Sequence, residues 1–178
     1  DYPPGVPLPT EEMGIYSISG TGSLIPQMTV AENIFLLRPH PFFQPAPSRR
    51  TINRQAKSLL AEFGLSIPPD TLAGNLRLVE QQALNFVKAY ARNAKLILVH
   101  GVAGPYPESQ DQLFSSVIRQ TKKSGIAVIS ISSSPFGFFD HYDRSIVMRD
   151  GTRAKTIYPQ FLMRENPLKY AVDGELPE

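Results

Sequence analysis

Two short apolar runs constrain this chain more than anything else in it. Leu96-Ile97-Leu98-Val99 and the stretch Ile126 to Ser132 (IAVISIS) are too short for helices, and their apolar residues fit strands covered on both faces. Between them, about Glu108 to Lys123 reads as a helix with acidic residues in its first turns, lysines in its last and Gly125 just beyond. Strand, helix, strand in this order calls for a parallel sheet with helices packed on it, so the expected fold class is α/β, a three-layer sandwich.

The rest of the chain extends that frame. Gly14 to Ser19 is a further β-leaning run, and Leu78 to Asn93 (LVEQQALNFVKAYARN) is the longest uninterrupted helical pattern. Thr29 is placed to cap a helix, with Glu32 three residues on completing a capping box. Thr51 is the expected cap of the next helix, where Leu59, Leu60 and Phe63 share a face and Gly64 ends it. Ser145 to Met148 and Thr152 to Tyr158 flank Asp150-Gly151, a hairpin signal. Residues 21–75 therefore carry helices and no strand, which predicts a helical insertion ahead of a core lobe over 76–158.

Seventeen prolines in 178 residues, nearly twice ordinary usage, mark the joints. Four fall within the first nine residues, giving a Pro-rich leading segment over 1–12, and Pro39, Pro41, Pro45 and Pro47 separate two helical patterns. Residues 159–178 read as a tail. The length fits one domain, and the opening on Asp1 is what an excised piece of something longer would show. Eighteen basic against sixteen acidic side chains leave no field to draw nucleic acid or anionic lipid, and no run is long enough to span a membrane. With no cysteine, disulfides, thiolate catalysis and cysteine-bound metals are excluded, which fits a cytoplasmic chain.

Ligands of parallel α/β sheets bind at the carboxyl ends of the strands. Those ends carry Gly20, Thr21, Gly22 and Ser23, then His100 and Gly101, then Ser132, Ser133 and Ser134. The glycine-serine run has the flavour of a phosphate cradle but lacks the lysine and the immediate helix of a Walker A loop. His100 has no second histidine or carboxylate at ligand spacing beside it. The serines, with Asp140, His141 and Asp143 downstream, lack the GxSxG elbow that presents a nucleophile. By residue types alone, none of the three is a complete motif, and a small-molecule site built around His100 and the serines stays open as a further reading.

The order of segments adds what spacing does not. "GIYSISGTGSLIPQMTVAENIFLL" resembles the Q-loop region of ATP-binding cassette (ABC) ATPases of the sugar-importer, ribose/galactose type. "LAGNLRLVEQQALNFVKAYARNAKLILVHG" is similar to the family's signature helix and Walker B strand; "GIAVISIS" and "IVMRDGT" resemble its switch strand and terminal hairpin. The resemblance covers about residues 10 to 158 and implies a P-loop-NTPase-like sheet, here incomplete, with a helical subdomain inserted.

It also implies departures at the positions that do chemistry. The Q-loop glutamine falls on Gly20. The signature serine and glycine fall on Arg77 and Val79, while Leu76, Gln81 and Gln82 persist. The Walker B aspartate and catalytic glutamate fall on His100 and Gly101, the next two positions on Val102 and Ala103, and the switch histidine on Ser133. The family's phosphate-cradling strand and loop would precede residue 10, and no GxxxxGK motif stands in the sequence. Phosphoryl transfer of this kind is positioning and charge neutralisation, so these replacements lead us to expect a pseudoenzyme with no catalytic residue of its own, no metal and no cofactor. On this reading the domain is a regulatory, sensory or scaffolding module, reached at the membrane only through a partner. That partner is a permease coupling helix, a fused domain or a second copy, with Met28, Phe35, Phe42 and Phe43 as contact candidates and Arg77 as a charge available for a salt bridge. The alternative is the ATP-binding subunit of a carbohydrate importer, with ATP and magnesium bound and Walker A supplied from outside these residues.

Overall fold

The computed structural model describes residues 10, 12–20, 23–36, 47–101, 108–132 and 142–158. Among the described residues five strands and four α-helices follow in order: β1 (Ile15–Ser19), α1 (Val30–Phe35), α2 (Arg49–Glu62), α3 (Leu78–Ala91), β2 (Leu96–His100), α4 (Glu108–Lys123), β3 (Ala127–Ile131), β4 (Ser145–Arg149) and β5 (Thr152–Ile157). The strand β2 lies between β1 and β3 and pairs in parallel with both. The register aligns Ser19, His100 and Ile131, so all three strands end at one level. The hairpin β4–β5 is a separate antiparallel pair. Its turn places Asp150 and Gly151 at φ of 49° and 75°, the left-handed pair that a two-residue hairpin turn demands.

Local chemistry explains the element boundaries. The Thr29 hydroxyl accepts from the Glu32 amide at 3.2 Å while the Glu32 carboxylate accepts from the Thr29 amide at 2.7 Å, the reciprocal box that starts α1. The start of α2 differs from expectation. Ser48 is its cap, and Thr51 is the residue whose amide donates to the Ser48 hydroxyl at 3.3 Å. Both residues are good caps, but Ser48 follows directly on the proline-rich stretch, so the helix begins at the first position where a chain leaving prolines can wind. The helix α3 ends at Ala91, two residues short of the expected end, where Asn93 turns left-handed.

One hydrophobic cluster joins the sheet to the helices, from Ile18, Ile97 and Val99 through Val30, Ile34 and Leu60 to Phe86, Val87 and Phe114. Phe86 meets Phe114 edge to face, and Phe63 meets Tyr90 the same way, at 5.6 and 5.2 Å between ring centres. Residues 25–30 lie along residues 69–74, with the Val30 amide donating to the Thr71 carbonyl and the Ala73 amide to the Met28 carbonyl.

The third strand departs from its sequence pattern. Expected to be covered on both faces, β3 leaves Ala127, Ile129, Ser130 and Ile131 exposed, with Ile129 at 50% and Ile131 at 64%. Its inner edge is taken by β2, and no described strand pairs with its outer edge. Ile146 and Met148 of β4 are exposed as well.

Candidate functional site

The shared register of β1 and β2 brings Gly20, His100 and Gly101 together. The Gly20 amide donates to the His100 carbonyl at 3.2 Å, and a side chain at Gly20 would come within 3.7 Å of the Gly101 carbonyl. Both glycines have positive φ, 50° and 63°, a backbone conformation that glycine adopts without a side-chain clash. Ser19, His100 and Ser132 are exposed there. The groups on offer are one imidazole, two hydroxyls and backbone amides.

That donor set does not fit a magnesium ion, which takes carboxylates and phosphate oxygens in an octahedron. Among the described residues no group of three or more histidines, aspartates or glutamates is close enough to hold a metal. Asp143, one partner of the imagined triad, instead pairs with Lys122 at 2.8 Å. Ser133, Ser134, Asp140, His141, Val102, Ala103, Phe42 and Phe43 lie outside the described residues.

The signature-like residues separate into two groups. Arg77 and Leu76 are at the start of α3, where the Arg77 guanidinium binds the Glu80 carboxylate at 2.9 Å and the Arg77 amide donates to the same carboxylate. The guanidinium holds the Glu80 carboxyl below its ordinary range, and Glu80 raises Arg77 in turn. The charge expected to await a partner is thus already answered within the first turn of its own helix. Val79 and Gln82 face inward. Val79 is fully buried in the core, and the buried Gln82 Oε1 has no hydrogen-bond partner. Gln81 donates to the Leu76 carbonyl at 2.9 Å.

Met28 and Phe35 are half-buried, Phe35 packing against the core from the end of α1. Exposed Ile25, Leu72 and Leu78 lie on the same two segments and at the start of α3. The neighbourhood also contains groups that sequence reading passed over. The Lys88 ammonium donates to the Ser23 carbonyl at 2.6 Å, the Ser23 hydroxyl donates to Asn85 Oδ1, and burial pushes the Lys88 amine down to about 8. Arg92 donates to the Leu36 carbonyl at 2.8 Å and lies over the Tyr16 ring. The available signal was a lone lysine and an asparagine inside the otherwise apolar ALNFVKAYA of α3.

With this geometry in hand, the similarity to known proteins is informative. No protein-family model matches the chain. It is 35% identical over 146 residues to the ribose import ATP-binding protein RbsA of Geobacillus kaustophilus, an alignment covering 82% of this chain and 30% of that protein. It is 30% identical over 173 residues to the ribose import ATP-binding protein RbsA 1 of Burkholderia ambifaria, covering 96% and 34%. The chain thus spans about a third of the length of the curated relatives it matches. Among solved structures, a nucleotide-free ATP-binding cassette from an ABC transporter superposes with a TM-score of 0.65 at 20% identity, covering 93% of this chain and 67% of that one. CbiO1 from Clostridium perfringens, part of the ABC transporter complex cbiONQ, gives 0.62 at 13% identity, covering 88% and 62%. The α/β fold with its parallel sheet is that of ATP-binding cassettes, and the chain's sequence relatives are sugar-import ATP-binding proteins.

Proposed function

We propose that this chain is an ATP-binding-cassette domain of the sugar-importer type that has given up hydrolysis and serves to dock and regulate a partner. The observation that carries this reading is the end of the central strand: His100 and Gly101 occupy the two positions where the resemblance to the family calls for a magnesium-holding aspartate and a catalytic glutamate. An imidazole and a hydrogen atom cannot hold the ion or polarise a water as two carboxylates would, and loss of a single charge-stabilising group typically costs about a hundredfold or more in rate. Gly20 in place of the Q-loop glutamine removes a further polar group from the same level. Docking in turn is supported by the exposed Ile25 and Leu72 on the paired segments that also carry the half-buried Met28, an apolar surface suited to an amphipathic helix of a permease.

A second reading, the ATP-binding subunit of a carbohydrate importer, is favoured by the names of the relatives at 30–35% identity. A thermal melt with millimolar magnesium-ATP separates the two. Saturation at a hundred times the dissociation constant adds about 2.7 kcal/mol, roughly 5 to 10 °C at this chain length. Absence of a shift is the expected result; a shift of that size favours the second reading, and phosphate release above background overturns the loss of hydrolysis.

A further inference from the structure

Residues 23–29 have little regular structure, yet their backbone is held by buried side chains. Lys88 is 4% exposed and Asn85 fully buried, both on α3, and Asn33 is fully buried on α1. The Ser23 carbonyl accepts from Lys88 Nζ at 2.6 Å while the Ser23 hydroxyl donates to Asn85 Oδ1; Asn85 Nδ2 reaches back to the Gln81 carbonyl at 3.0 Å. Two residues further on, the Ile25 amide donates to Asn33 Oδ1 at 2.8 Å, and Asn33 Nδ2 lies within 3.0 to 3.3 Å of the carbonyls of Ile25, Met28 and Thr29. Among the described residues no carboxylate pairs with Lys88, and the charge that acts on it is the repelling Arg92 one turn along. A buried ammonium answered by a carbonyl costs free energy that a methionine of similar length would not. The arrangement therefore favours a role in specifying position over one in packing.

We propose that Ser23, Asn85 and Lys88 form a latch that fixes the segment 23–29 against α3. The latch holds the strand-end group of Gly20, His100 and Gly101 in a set relation to the Met28 and Phe35 surface. Lys88 is a positioning residue, and the latch stands whether or not nucleotide binds.

Amide hydrogen exchange on the whole chain tests it. Charge-assisted hydrogen bonds contribute about 1.5–3 kcal/mol, so Lys88→Met is expected to lower protection of the Ile25 and Met28 amides about tenfold or more while Ala56 and Leu60 of α2 stay within about twofold. An equal fall in both places, or none at Ile25 and Met28, overturns the latch. Ser23→Ala removes the Asn85 bond but keeps the carbonyl that Lys88 needs. It should lower the same two amides about threefold, and keeps the test open if Lys88→Met does not fold. In the double variant the two losses should be non-additive by about threefold or more; strict additivity would show two unrelated contacts.

Discussion

The two sides of the sheet are built from sequence of the same apolar character and end in opposite conditions. In β1 and the central β2, Ile18, Ile97 and Val99 are buried in the core cluster they share with residues of α1 and α3, and the strands' apolar residues are used as their pattern promises. On the β3 side, Ile129 and Ile131 stand half or more exposed, with Ile146 and Met148 of the hairpin exposed nearby in the sequence. An apolar strand pattern records what a segment is suited to contact, and it does not guarantee that the described residues supply the contact. The β1 side should therefore hold the stability, and the β3 side should be nearly silent in it.

The largest effect belongs to the sealed side. Phe86 is fully buried against Phe114, and Phe86→Ala should cost about 3–5 kcal/mol, seen as a fall in denaturation midpoint with little change in slope. A cost near 1 kcal/mol would mean the core around α3 collapses to fill the space, and the contrast between the sides would be weaker than the burial implies.

Next in size is the response to alkali. The Lys88 amine is lowered to about 8 in the folded chain and returns to about 10.5 when unfolded, so between those values the unfolded state holds more protons. Stability should then rise as pH increases from about 8 toward 10.5, by about 2 kcal/mol after discounting the full linkage for solvent screening of the amine. Lys88→Met should flatten that rise. A rise of equal size in the variant would assign it elsewhere and remove the buried charge from the account of the sealed side.

At about 1 kcal/mol, Thr29→Ala should loosen the start of α1 by deleting its half of the capping box. Because the Thr29 bonds hold the Glu32 carboxyl below its ordinary range, acid should do the same: the box is intact above pH 4.5 and is lost as pH falls through the lowered folded value. Urea melts at pH 7 and pH 3 should show the Thr29→Ala penalty shrinking at the lower pH.

What could be read in the sequence follows from how far apart the interacting residues lie. The Thr29–Glu32 box, the Asp150-Gly151 turn and the helical periods of α3 and α4 are local, and each appears where the residues indicate. The α2 boundary moved from Thr51 to Ser48 because two adequate caps stood three residues apart and only the geometry of the bond chooses. The bonds of Ser23 to Asn85 and Lys88 cross 62 and 65 residues, beyond the reach of any local pattern. At the strand ends, position was legible while chemistry was not: the alternation of strands and helices pointed to Gly20, His100 and Gly101, yet only the parallel register shows them side by side.

The smallest expected effect is the most pointed test of the contrast. Ile131→Thr keeps a β-branched residue, so strand propensity is preserved and the change removes apolar surface that is already 64% exposed. With little burial to lose, the cost to the chain should be under about 0.5 kcal/mol, a tenth of that for Phe86→Ala. The same substitution should reduce self-association in light scattering at high concentration, since β3 offers an uncharged edge with no proline or lysine to blunt it. A penalty of about 2 kcal/mol would instead mean that Ile131 is covered in solution, and the open side would have to be redrawn as a contact surface already in use.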